Sequence, residues 1–183
     1  MPGQRIGSVI AAVFGLIYVL VNSGPLPTPW TLTCRVLAAI ASIAVLVAVF
    51  RSGLRPRHRG GQQGRVFGRA YWFVVAVEFV ALFGGARLLS GPLDAPEAGV
   101  AWVSLVVGTH FFALAVVFGQ RFFHGLGGVI TGCGVVGLVL AATGAGEPAI
   151  ALVAGVLPGA VLLGFGWWSA RRAEPATGQT TNA

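Results

Sequence analysis

The chain has 183 residues, of which 56% are hydrophobic and only 9% charged, with a mean hydropathy of +0.84. Soluble domains carry roughly 25% charged residues, so this composition excludes an ordinary soluble globular protein and points to an integral membrane protein. The net charge of +7 comes from arginine, since lysine is absent; the arginines sit where a membrane protein needs them for topology, which argues against nucleic acid as a partner.

A hydrocarbon core about 30 Å thick requires roughly 20 apolar residues per helix. Six runs meet or approach that length: residues 6–21, 32–50, 70–89, 99–119, 125–143 and 148–169. The expected fold is all-α, a polytopic membrane bundle of six transmembrane helices within residues 1–170. The abundance of Gly, Ala, Val and Arg fits a GC-rich bacterial genome, and hence a multi-pass protein of the bacterial plasma membrane.

The first run follows Arg5 and places Gly7, Ala11 and Gly15 on one helix face, which suits close helix packing. The same stretch also reads as a signal peptide, with Arg5 as its basic region and Val21-Asn22-Ser23 as a cleavage site. Either way, the second run starts outside. It carries Cys34 and Arg35 near its outer end.

The connection that follows, RSGLRPRHRGGQQGRVFGR over residues 51–69, holds Arg51, Arg55, Arg57, Arg59, Arg65 and Arg69 and no sustained apolar period. It is expected to be a flexible cytoplasmic loop that fixes topology. Contact with anionic lipid headgroups would add on the order of 1 kcal/mol per arginine near an acidic leaflet. Arg59-Gly60-Gly61 resembles one RGG unit, but a single unit does not establish a nucleic-acid partner.

The third run contains VAVEFVALFGG, with Glu78 in its middle and Arg87 near its outer end. The fourth contains His110 and ends before Arg121. The fifth and sixth carry ladders of small residues, Gly128/Gly132, Cys133/Gly137/Ala141 and Ala151/Gly155/Gly159. Only a few residues join these two runs, so they are expected to form a tight hairpin. The last thirteen residues, RRAEPATGQTTNA, form a polar tail expected to be disordered and cytoplasmic.

Arginines precede the first run, fill the second connection, lie in the fourth and follow the sixth run. The other connections carry Asp94 and Glu97, or Glu147, and no arginine. The positive-inside rule therefore places both termini in the cytoplasm. The tryptophans agree, with Trp72, Trp167 and Trp168 at inner ends and Trp30 and Trp102 at outer ends. Gly84-Gly85 and Pro158-Gly159 interrupt the last run of each half, as in an inverted repeat, although no matching sequence links the halves.

Cys34 and Cys133 lie at different depths, so two free thiols are expected rather than a disulfide. No paired Cys or His spacing supports zinc, and a single histidine well inside a run gives no bis-histidine haem. No nucleophile motif, P-loop or HExxH is present. The sequence thus implies no metal, no cofactor and no enzymatic activity.

Glu78 and His110 are the exceptional pair. At 1.5 Å per residue, Glu78 lies roughly 13 Å from the inner surface and His110 roughly 16 Å, on antiparallel neighbours. Glu78 shares its face with Val74, Val75, Ala81, Leu82 and Gly85. An ionised group at mid-membrane costs about 3 kcal/mol, so such groups usually find partners. Burial favours the neutral form of each group and mutual pairing the charged form, which lets the pair hold or lose a proton near neutral pH. Two readings stand: an interhelical hydrogen bond that fixes packing, or a proton- or cation-linked site. Arg35 and Arg87 are candidates for an outer vestibule attractive to anions, or for snorkelling, Arg87 towards Asp94 or Glu97.

Glu78 followed by Val106-Val107-Gly108-Thr109-His110-Phe111-Phe112 resembles a group of small bacterial six-span membrane proteins with a V-G-x-H-F stretch, over the third to fifth runs. That resemblance implies no particular activity. In size and topology alone, the chain is also similar to the substrate-binding components of energy-coupling-factor vitamin transporters. The expectation is a small permease-like or solute-binding protein centred on Glu78 and His110, in a parallel homo-oligomer. The alternative is a non-catalytic accessory or scaffold subunit that binds a partner membrane protein.

Overall fold

The computed structural model describes residues 2–53 and 68–172, and over these every regular element is a helix. Helix α1 (Pro2–Asn22) is followed by α2 (Thr28–Gly53), α3 (Arg69–Ser90), a 3₁₀ turn (Pro96–Ala98), α4 (Gly99–Phe118) and α5 (Phe122–Ala142). The last rod is composite: α6 (Glu147–Ile150), a π segment (Ala151–Val156) and α7 (Leu157–Arg172). Five stretches are long and apolar enough to cross a membrane: Thr28–Arg51, Tyr71–Ser90, Pro96–Phe118, Phe122–Ala142 and Glu147–Arg171. The apolar part of α1, Gly7–Asn22, is shorter. These lengths support a multi-pass membrane protein. Arg55, Arg57, Arg59 and Arg65 of the basic connection, and residues 173–183 of the tail, lie outside the described residues; Arg51 and Arg69 are exposed at helix ends.

The helices sort into two groups of three. In one, α1 packs on both α2 and α7, and α2 also meets α7; in the other, α4 lies between α3 and α5. The π segment joins the groups through contacts with α1, α4 and α5. Each group takes two consecutive helices from one half of the chain and its third from the other half: α1 and α2 with the last rod, α4 and α5 with α3. Gly84-Gly85 is not a break, since α3 is continuous through it.

The closest hairpin is α4 with α5, and the last rod packs most extensively on α1; the fifth and sixth runs also pair, Gly137 against Ala154 and Phe122 against Phe165, though less closely than α4 and α5. Close approach explains the difference. Added methyl groups at Gly108 and Gly134 of the α4–α5 seam would collide with Thr131 and with the Leu105 backbone. One at Gly127 would come within 2.9 Å of the Gly108 carbonyl oxygen. The expected Gly128/Gly132 ladder instead faces outward, with nothing within 4 Å of Gly132. On the other seam, a methyl at Gly15 would lie 2.8 Å from Leu163 Cγ, and one at Gly159 2.9 Å from the Gly15 carbonyl oxygen. Gly7, the first rung expected on α1, has open space around it.

The turn from α4 to α5 needs Gly119, whose φ of 63° is left-handed and whose N–H caps the Ala115 and Val116 carbonyls. Beyond it, a run of rings ties four helices together at one end of the bundle. Tyr71 of α3 meets Phe118 of α4, Phe118 meets Phe123 of α5, and Phe122 stacks on Phe165 of α7 at 5.0 Å. Both cysteines are free thiols.

Candidate functional site

Helix α3 touches the bundle along one stripe. Tyr71, Val74, Val75, Glu78, Ala81, Leu82, Gly85 and Leu89 are its half-buried residues, while almost every other side chain described on the helix is exposed. Their spacing of three and four is that of one helix face. Three levels of contact with α4 follow at seven-residue steps. Tyr71 meets the Phe118 ring, Glu78 meets His110, and Gly85 leaves space for the Trp102 indole, with which a Cβ at that position would collide. At 1.5 Å per residue the levels are about 10 Å apart.

At the middle level, Nδ1 of His110 lies 3.0 Å from Oε2 of Glu78. The two side chains retain 12% and 20% of their accessible surface, respectively. The distance is that of a hydrogen bond, but the ring N–H direction is off the oxygen, so Nδ1 has no aligned partner. The carboxyl and imidazole thus meet where the third and fourth runs place them, with the histidine T-shaped against Phe111.

One helical turn beyond Glu78, the Trp102 indole N–H donates to the Ala81 carbonyl at 3.0 Å. Trp102 is therefore a clasp within the α3–α4 seam, where the sequence suggested a headgroup anchor. The clasp and the Tyr71–Phe118 contact bracket the ionisable pair and fix its register.

A second polar constellation lies where the two helix groups meet. The Ser104 hydroxyl of α4, fully buried, donates to the Ala154 carbonyl of the π segment. Its oxygen is 3.0 Å from the Tyr18 hydroxyl of α1. Because the Ser104 proton is committed to a carbonyl, the phenol is the donor of that second bond. Pro158 accounts for the arrangement. In a regular α-helix the N–H at position 158 would pair with the Ala154 carbonyl, and proline has none. The π geometry and the serine hydroxyl accommodate this carbonyl.

Neither Ser104 nor Tyr18 stands out in the sequence, since serine and tyrosine are unremarkable in apolar runs. Pro158 was the available signal, because a mid-helix proline implies an unpaired carbonyl four residues earlier. Thr131 of α5, half-buried against Gly108 of α4, has a hydroxyl with no hydrogen-bond partner among the described residues.

Arg35 donates from Nε to the Ser23 hydroxyl at 2.9 Å and so braces the α1–α2 turn. Arg87 is exposed, and no ion pair joins it to Asp94 or Glu97 among the described residues. The helices carrying Arg35 and Arg87 share no substantial interface. Among the described residues, no three His, Cys, Asp or Glu side chains converge. The Glu78–His110 pair therefore offers one carboxylate and one imidazole, a donor set suited to a proton, or to a cation that keeps other ligands.

No protein family, curated protein or solved structure matches the chain.

Proposed function

We propose that the chain is a six-span membrane protein with both termini on the arginine-rich, cytoplasmic side, acting as a small permease-like or solute-binding protein through a proton- or cation-linked Glu78–His110 site. The observation that carries this reading is the 3.0 Å approach of two ionisable side chains midway along helices that are otherwise apolar. Groups of this kind are expensive inside a membrane and, by default, mark ion or proton pathways. A carboxyl and an imidazole can share one proton, and displacement of that proton by a cationic or hydrogen-bonding solute couples binding to pH. The test is reconstitution in proteoliposomes. A pH-dependent solute-binding or transport signal should be lost in Glu78→Gln and in His110→Ala, with thermal unfolding still cooperative in both. Retention of the full signal in both variants would defeat the reading.

A second reading, an accessory or scaffold subunit with the pair as an interhelical contact, is favoured by one observation. Helix α3 packs substantially only on α4 and the 3₁₀ turn, and its far face presents Phe73, Val77, Val80 and other large apolar side chains. A partner membrane protein or a parallel second copy would cover that face. Isolation in mild detergent should then recover a stoichiometric companion, and recovery of a bare monomer would count against it.

A further inference from the structure

A groove of about 540 Å³ runs between α2 and α7 over the flank of α1, far in sequence and packing from Glu78 and His110. Leu37, Ala41 and Ala44 line it from α2, and Ala160, Gly164 and Trp167 from α7. Small residues make the channel: nothing lies within 4 Å of where a Cβ at Gly164 would be. Its volume falls in the roughly 300–1,000 Å³ range of small-ligand clefts. Its length, some ten residues of helix, is about 15 Å.

The two lining faces end alike. Arg51 follows Ala44 by seven residues on α2, and Arg171 follows Trp167 by four on α7, so each arginine lies on its helix's groove face. The two helices run parallel, since both are antiparallel to α1, and Val49 and Ala170 belong to one buried cluster. The arginines therefore occupy the same end of the groove. Arg171 stacks over the Trp167 ring at 5.4 Å, an arrangement that leaves the in-plane N–H donors of its guanidinium free. No acidic side chain pairs with either arginine among the described residues.

We infer that this groove binds one anionic glycerophospholipid, with an acyl chain along α2 and α7 and its phosphate held by Arg51 and Arg171. Lipid tails surround the bundle everywhere, so apolar burial confers no preference of its own. Selectivity comes from two guanidiniums at a mouth that no carboxylate among the described residues neutralises, and fit comes from the small residues behind it. The site is independent of the Glu78–His110 pair.

The experiment is native mass spectrometry of the full chain extracted from vesicles of phosphatidylglycerol and phosphatidylcholine in equal parts. One phosphatidylglycerol should remain bound, with about a tenfold preference over phosphatidylcholine. The double variant Arg51→Gln/Arg171→Gln should lose the preference. Gly164→Leu, whose added side chain enters open space, should lose the bound lipid with both arginines intact. Equal retention of the two lipids by the unmodified protein, or an unchanged phosphatidylglycerol adduct in Gly164→Leu, would overturn the inference.

Discussion

Ser104 holds two helices on one oxygen, and its role depends on a proline fifty-four residues later in the chain. Removal of its hydroxyl in Ser104→Ala leaves the Ala154 carbonyl and the Tyr18 hydroxyl short of a partner. Interhelical hydrogen bonds in membranes average about 0.6 kcal/mol and reach about 1.7, so a loss of about 1–2 kcal/mol is expected. Pro158→Ala restores an N–H to the helix, and Ser104→Ala should then cost less. A double-mutant cycle by thermal or denaturant unfolding in detergent should show coupling of at least about 0.5 kcal/mol. Strictly additive costs would show that the serine does not stand in for the missing N–H. At this scale Glu78 and His110 were legible, because depth follows from residue count and ionisable groups are rare in apolar runs. Tyr18 and Ser104, separated by 86 positions, were not, because nothing in either run announces a partner.

Helix α3 is held by a single seam, so its attachment is sensitive to the residue that admits the Trp102 indole. Gly85→Val should expel the indole, break its bond to the Ala81 carbonyl and destabilise the protein by about 2 kcal/mol, within the range expected of overpacking. The neighbouring Gly84→Ala faces open space and should be neutral or slightly stabilising. The same contrast separates Gly134→Ala, which should destabilise, from Gly132→Ala, which should not; thermal unfolding in detergent measures all four. The face of α3 was legible from its spacing of three and four. The seam of α5 was not, because Gly127, Gly128, Gly132, Gly134 and Gly137 offer several four-residue and seven-residue stripes. Which stripe is buried depends on the partner helix. The Ala151/Gly155/Gly159 ladder was read as packing, and its residues are buried; but its main partner is α1, a pairing that connection length alone disfavours.

Two three-helix groups meet at the π segment, and the ionisable pair lies within one of them, bracketed by an indole clasp and an aromatic contact. The proposed topology, drawn from arginines at alternate connections, has both termini on one side and six crossings. Impermeant thiol labelling of single cysteines introduced at residues 3 and 180, in a chain lacking Cys34 and Cys133, should find both termini on the same face of intact cells or vesicles. Opposite faces would leave an odd number of crossings and remove α1 from the membrane. Composition and run length made the membrane class legible, because hydrophobic thickness sets helix length; the grouping of helices was not, since it depends on lateral packing that hydropathy does not encode. The proton-linked pair is tested most directly, without knowledge of a solute, by infrared difference spectroscopy of the carboxyl stretch during a pH titration in lipid. A titrating carboxyl band should appear, vanish in Glu78→Gln and shift its midpoint in His110→Ala. The absence of such a band, or a midpoint unchanged by His110→Ala, would rule out a proton shared by the pair.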